Sequence, residues 1–394
     1  MGTKLRIAAL LALSMVAQTL HAQENSNPQT MLELLFEAPE IDSNWFAPNF
    51  LSQVPAAQVS TLINSMEEQY GSFESVDGEG ERFTVRLERA EVPARLVLDA
   101  EGRIAGLLFE PPVASGDLSQ QVEAITALPG RTAILVLSNG EAQAEHNADE
   151  PLAVGSAAKL AVLKAVREAV EAGQLRWEQV VPLDDSWRSL PTGILQDWPA
   201  DTPVTIATLA NLMISISDNT ATDALVRIVG REAVEVVTPR NTPFPTTREL
   251  FILKASGNEI LRQTWAEGDE AARRDILQRI DGMPLPEAGQ LAAEPTTDVE
   301  WFLSARELCE LMRELSDLPS LHINPGVAEA ANWEAIAFKG GSETGILNFT
   351  TRLESPDGTT HCVVATWNDP EAPIDNQSLT SSYRAILRAL RDGG

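Results

Sequence analysis

Basic residues are scarce in this 394-residue chain: 29 lysines and arginines stand against 57 acidic residues, for a net charge of −28. So acidic a surface repels polynucleotides and anionic lipid headgroups, so nucleic-acid partners are set aside. Cysteine is nearly absent, with only Cys309 and Cys362, which excludes a disulfide-built scaffold and any CxxC zinc pattern. Four histidines offer no metal-ligand spacing either, and neither a metal nor a cofactor is expected. Cys309 lies in a helical pattern, ARELCELM, and Cys362 in a strand pattern, HCVVATW; an exported compartment permits a disulfide between them, but two buried free thiols are the preferred reading. Long apolar runs are also missing, apart from Ile7 to Leu20 near the start. That run is short for a bilayer span. It follows Lys4 and Arg6 and precedes Leu-His-Ala at 20–22, the pattern of a secretory leader over residues 1–22. The expected protein is therefore secreted or periplasmic, without stable membrane insertion once the leader is cleaved.

Apolar residues make up 44% of the chain, enough for packed cores, and the length suggests two domains. Residues 31–69 carry helical periodicity broken near Pro48 and Pro55, with Val59, Leu62, Ile63 and Met66 on one face. ERFTVRLERA, VPARLVLDA and RIAGLLFE then alternate as strands, with a turn at Asp99–Gly102. Residues 31–110 thus form a small α+β unit, a helix on an antiparallel sheet, and residues 111–118 read as a linker. From residue 119 to 394 the pattern is strands at both ends around a helical middle. RTAILVLSNGEAQAEHN is a hairpin with an Asn139-Gly140 turn. EAIAFKGG, GILNFTTRLES and HCVVATW return to strand, and SSYRAILRALR closes the chain as an amphipathic helix. One sheet assembled from the two extremes of the domain is expected.

Chemistry concentrates in three short stretches. In VGSAAKL, Ser156 and Lys159 are three apart at a helix start and share a face. A desolvated lysine can take the proton of a serine and make it a nucleophile, while free N–H groups at the helix start can hold an oxyanion. By itself the pair is a weak signal, since Ser-x-x-Lys is usually an N-cap and a solvated lysine. In ISISDNTATDAL, Ser217, Asp218 and Asn219 interrupt an apolar run. Asp218 reads as a helix cap, Ser217 as a proton relay and Asn219 as a contact for a substrate amide. In FKGGSETG, Lys339 offers positive charge to a substrate carboxylate. Gly341 sits on a strand edge that an extended substrate can approach, and the Ser342 N–H is a second oxyanion donor.

Together, and in this order, Ser-x-x-Lys, Ser-Asp-Asn and a Lys-Gly-Gly variant of Lys-Thr-Gly resemble the catalytic set of class A β-lactamases and penicillin-binding proteins. SLPTGILQDWPADTPVTIATLANLMISISDNTATDAL is similar to the matching region of class A enzymes, and the likeness covers about residues 120–394. It implies an α/β (α+β) β-lactamase-like fold, with helices flanking an antiparallel sheet. It also implies a serine hydrolase acting on a small-molecule β-lactam, ester or amide through acyl-Ser156. The small front unit together with TTRELFILKA resembles the two-domain serine hydrolases encoded in clavulanic acid biosynthesis clusters. That likeness implies a cystatin- or steroid-isomerase-like front domain without chemistry of its own. Two departures stand out. The threonine hydroxyl of Lys-Thr-Gly is lost, with Ser342 as the available substitute. The Glu-x-x-Leu-Asn stretch that carries the deacylation carboxylate of class A enzymes is missing, leaving Glu249 and Glu259 as candidate bases. A D,D-peptidase, or a protein acylated by β-lactams or muropeptides without turnover, is the alternative.

Overall fold

Alternating apolar residues set the first sheet. Val85 and Leu87 in Arg82–Leu87, and Val92, Ala94 and Leu96 in Ala90–Leu98, all point inward and are buried. The computed structural model describes residues 27–393, so the leader expected over residues 1–22 lies outside the described residues. The chain divides into two compact units: the first holds the described residues up to Asp117 together with Thr380–Ala385, the second Leu118–Leu379 and the residues from Ile386 on.

In the first unit, four antiparallel strands pair in sequence order, Phe73–Glu79, Arg82–Leu87, Ala90–Leu98 and Ile104–Phe109. The helix Pro28–Glu37 brings Met31, Leu32, Leu35 and Phe36 into the core, and Ala56–Tyr70 brings Val59, Ile63, Met66 and Tyr70. Asp99 builds the expected turn, accepting the Arg103 N–H on its carboxylate and the Gly102 N–H on its carbonyl. Two features differ from the sequence reading. Phe73–Glu79 is a strand although its sequence, FESVDGE, is mostly polar; only Val76 is buried, so the edge left almost no apolar signal. Val113–Ala114, within the expected linker, pairs with Ala90–Leu98.

The second unit is built on a five-stranded antiparallel sheet in the order Ala335–Glu343, Ile346–Glu354, Thr360–Asn368, Arg131–Ser138, Glu141–His146. Both ends of the domain supply its strands, as the pattern predicted. Asn139 and Gly140 have φ of 50° and 83°, the left-handed pair a two-residue hairpin requires. The helix Lys159–Glu171 is buried on most of its circumference, with Leu160, Ala161, Val162, Leu163, Ala165 and Val166 all inside. It packs against Asn219–Val229 and Ala305–Leu315.

The two cysteines are not free thiols. Cys309, on Ala305–Leu315, and Cys362, on Thr360–Asn368, form a disulfide with Cα atoms 6.0 Å apart. Helix and strand periodicity place each cysteine inward but carry no information about their mutual distance, so the pairing was invisible to the sequence. Closing a 53-residue separation removes unfolded-chain entropy worth about 4 kcal/mol. Among the described residues, no helix is long and apolar enough to cross a membrane. Among them, too, no cluster of His, Cys, Asp or Glu is arranged to hold a metal ion.

Candidate functional site

Ser156 lies in a single 3₁₀ turn, Gly155–Ala158, which runs directly into the helix beginning at Lys159. The turn is pressed against the strand Ala335–Glu343, and glycine makes that approach possible. A Cβ on Gly341 would stand 2.1 Å from the Val154 carbonyl oxygen and 2.6 Å from the Ser156 nitrogen. A side chain there would push the strand off the turn. The same contact brings the Ser342 backbone nitrogen beside Gly155, within 3.4 Å of where its Cβ would be. Backbone N–H groups of Ser156 and Ser342 thus come from two elements held together by one glycine. Gly340 answers the missing threonine: a Cβ there would stand 2.9 Å from the Phe338 ring and 3.0 Å from the Asn348 carbonyl.

Ser217 occupies the bend between Ile206–Ser215 and Asn219–Val229, with a φ of 58° that non-glycine residues rarely adopt. Its strain is supported from both sides. Its carbonyl accepts from Lys159 Nζ at 2.7 Å and from Thr192 Oγ1 at 2.5 Å. Its hydroxyl stands 3.1 Å from Lys159 Nζ and 3.1 Å from Lys339 Nζ, so one serine bridges two lysines. Asp218 is the helix cap expected of it, accepting the Ala221 N–H at 2.8 Å and also the N–H groups of Ile194 and Leu195.

Lys159 is 1% exposed, and its ammonium position is bonded to Ser217 and to Asn219 Oδ1, at 2.7 Å, rather than to a carboxylate. Burial pushes its pKa down to about 7, against the more distant pull of Asp223, Asp218 and Glu343. Lys339 is also buried; burial, and then the charge of Lys159, hold it well below the ordinary lysine range. Lys339 Nζ also donates to the Gly340 carbonyl at 2.6 Å, which aims it along the strand edge. Asn219 differs from its expected role. Its amide donates to the Leu190 carbonyl at 2.9 Å and its oxygen holds Lys159, so it positions the lysine.

A groove of about 310 Å³ brings together Ser156, Ser217, Lys339, Gly341 and Ser342, with Thr192, Asn324 and Phe338 on its walls. Among the described residues Ser156 Oγ has no hydrogen-bond partner, and it faces the groove open to an acyl donor. Glu249 and Glu259 do not join it. Glu249 closes a capping box with Thr246 at the start of Thr247–Lys254 and pairs with Arg231 at 2.7 Å. The sequence Thr-x-x-Glu carried that signal. Glu259 is solvent-facing at another helix start, where the Gly257 N–H holds its carboxyl below the usual range.

Two groups escaped the sequence reading. Asp223 is buried behind the site and accepts from Thr247 N, Thr247 Oγ1 and Arg248 N at 2.7–2.9 Å; burial nonetheless raises it to about 7. Lys254, on Thr247–Lys254, is buried against Glu300 and lies 3.9 Å from Glu343. Nothing in local sequence links residues 254, 300 and 343.

The sequence profile of the Beta-lactamase enzyme family matches residues 117–317, just over half of the chain. The chain belongs to this family. It is a β-lactamase-related serine hydrolase by descent, with the mixed α/β architecture described above. Among solved structures it is similar to a beta-lactamase from Sphaerobacter thermophilus, at 22% identity and a TM-score of 0.48. That match covers 69% of this chain and 94% of that one. It is also similar to a beta lactamase from Xanthomonas campestris pv. campestris (17% identity, TM-score 0.48, 70% and 96% covered) and to PBP-A (15%, 0.46, 70% and 96%). No curated protein matches the chain.

Proposed function

We propose that this family member is an exported serine hydrolase that takes an acyl group from a β-lactam, or from a related small ester or amide, onto Ser156. The observation that carries the reading is Lys159. It is buried, has no carboxylate at bonding distance among the described residues, and is lowered to about 7, so a large fraction is neutral at physiological pH. Neutral Lys159 takes the Ser156 proton as Oγ attacks the substrate carbonyl. The proton passes through the Ser217 hydroxyl, 3.1 Å from Lys159, to the departing nitrogen or oxygen. The N–H groups of Ser156 and Ser342 receive the developing oxyanion, and Lys339 attracts a substrate carboxylate. Acyl enzyme and leaving group are the products of this half. The disulfide supports the exported location, since such bonds persist in oxidising compartments.

Intact-mass spectrometry during incubation with a chromogenic cephalosporin and with a nitrophenyl ester tests the reading. The expected result is an adduct on the wild type that is missing from Ser156→Ala. An adduct that survives the substitution, or no adduct from either donor, contradicts it.

A further inference from the structure

Ser156 faces a second space besides the groove. A separate cavity of about 20 Å³ is also lined by Ser156, with Asn219, Phe251, Lys254, Glu300 and Glu343 around it. That is room for one water molecule, in a setting with the two or more polar partners a held water needs. The charges around it are organised. Glu300 is buried and bonded to Lys254, which fixes the ammonium. Lys254 in turn stands 3.9 Å from Glu343 Oε2 and draws that carboxylate toward the cavity. Glu343 has no other ion pair among the described residues, and its side chain is 35% exposed, so it retains oxygen lone pairs for a water. It follows Ser342 in the chain, so it is rigidly tied to the N–H group assigned to the oxyanion.

We propose that this cavity is the hydrolytic water site and that Glu343 is the base that activates the water, with Lys254 and Glu300 as positioning residues. The proposal rests on the acyl-Ser156 reading above. Glu343 takes a proton as the water oxygen bonds to the acyl carbon, and the carbonyl electron pair moves onto its oxygen. Collapse of the tetrahedral adduct breaks the bond between the acyl carbon and Ser156 Oγ. Glu343 then returns the proton to Oγ. One ester and one water give one acid and the free serine. The acyl group sits in the groove and the water in the separate cavity, both bordering Ser156, so the acyl group need not leave its seat before hydrolysis.

The test separates the two half-reactions at pH 8.5. The protein is pulsed with a nitrophenyl ester or a penicillin, excess donor is removed, and the adduct is followed by intact mass in the wild type, Glu343→Gln and Glu343→Asp. Glu343→Gln is expected to lengthen adduct lifetime about 100-fold, the low end for losing a positioned base, while adduct formation slows less than about threefold. Glu343→Asp should recover part of the loss. Adduct decay in Glu343→Gln as fast as in the wild type overturns the proposal. So does an equal loss in formation and decay, which marks a structural role. A wild type that forms no adduct instead overturns the acyl-Ser156 reading itself, and is seen before any variant is compared.

Discussion

Two fully buried lysines flank Ser156 and face opposite fates. Lys159 bonds to a serine and an amide oxygen, and burial takes it down to about 7. Lys254 meets the same burial, but attraction to Glu300 and Glu343 outweighs it and raises its pKa. Burial thus leaves a proton acceptor on one side and an ammonium on the other. What separates them is whether a carboxylate lies at contact distance. The contrast shows how one acidic chain maintains a proton acceptor: Asp223, Asp218 and Glu343 all act on Lys159, but none bonds to it.

The largest expected effect lies in activity. Lys159→Met removes the proton acceptor and should slow acylation by 10²–10⁴-fold in stopped-flow assays. Lys159→Arg should be no better, because a guanidinium stays charged. Lys254→Met should leave acylation far less affected. Equal losses in the two variants would break the contrast.

Stability should reverse the order. Lys254→Met leaves Glu300 buried without its counter-ion and should cost about 3–5 kcal/mol in urea unfolding at pH 7.5. Lys159→Met removes a largely neutral group and should cost less, mainly through unsatisfied acceptors on Ser217 and Asn219. Its pH dependence sharpens the point. Lys159 titrates near 7 in the folded state and at the ordinary lysine value of 10.5 when exposed, so between those values the unfolded chain binds the extra proton. Its contribution to stability therefore rises with pH across that window, and Lys159→Met should remove that slope. Asp223→Asn is the mildest change. It removes a carboxylate that raises Lys159, so the acid limb of acylation should move to lower pH, by up to about one unit.

Much of one side of this contrast was legible in the sequence. Ser156, Lys159, Ser217 and Lys339 sit in short motifs, where spacing on one helix or at one strand end predicts a shared site. The sheet built from both ends of the domain followed from strand periodicity and from Asn139-Gly140. The other side was not legible. Lys254, Glu300 and Glu343 come from three elements, and each reads singly as a surface charge; only folding places them in one buried cluster. The Cys309–Cys362 pairing failed for the same reason, since it joins a helix to a strand. The error at Glu249 was different. Thr246-Thr-Arg-Glu249 announces a capping box, and a cap was the better use of that glutamate.

The central claim is that a neutral lysine, not a carboxylate, activates Ser156. The direct measurement is the pH dependence of pre-steady-state acylation between pH 4 and 9 with a nitrophenyl ester. The account predicts a rate that rises about tenfold per pH unit up to a bend near 7 and then levels off. A bend near 4–5, where carboxylates titrate, or a flat profile would contradict it.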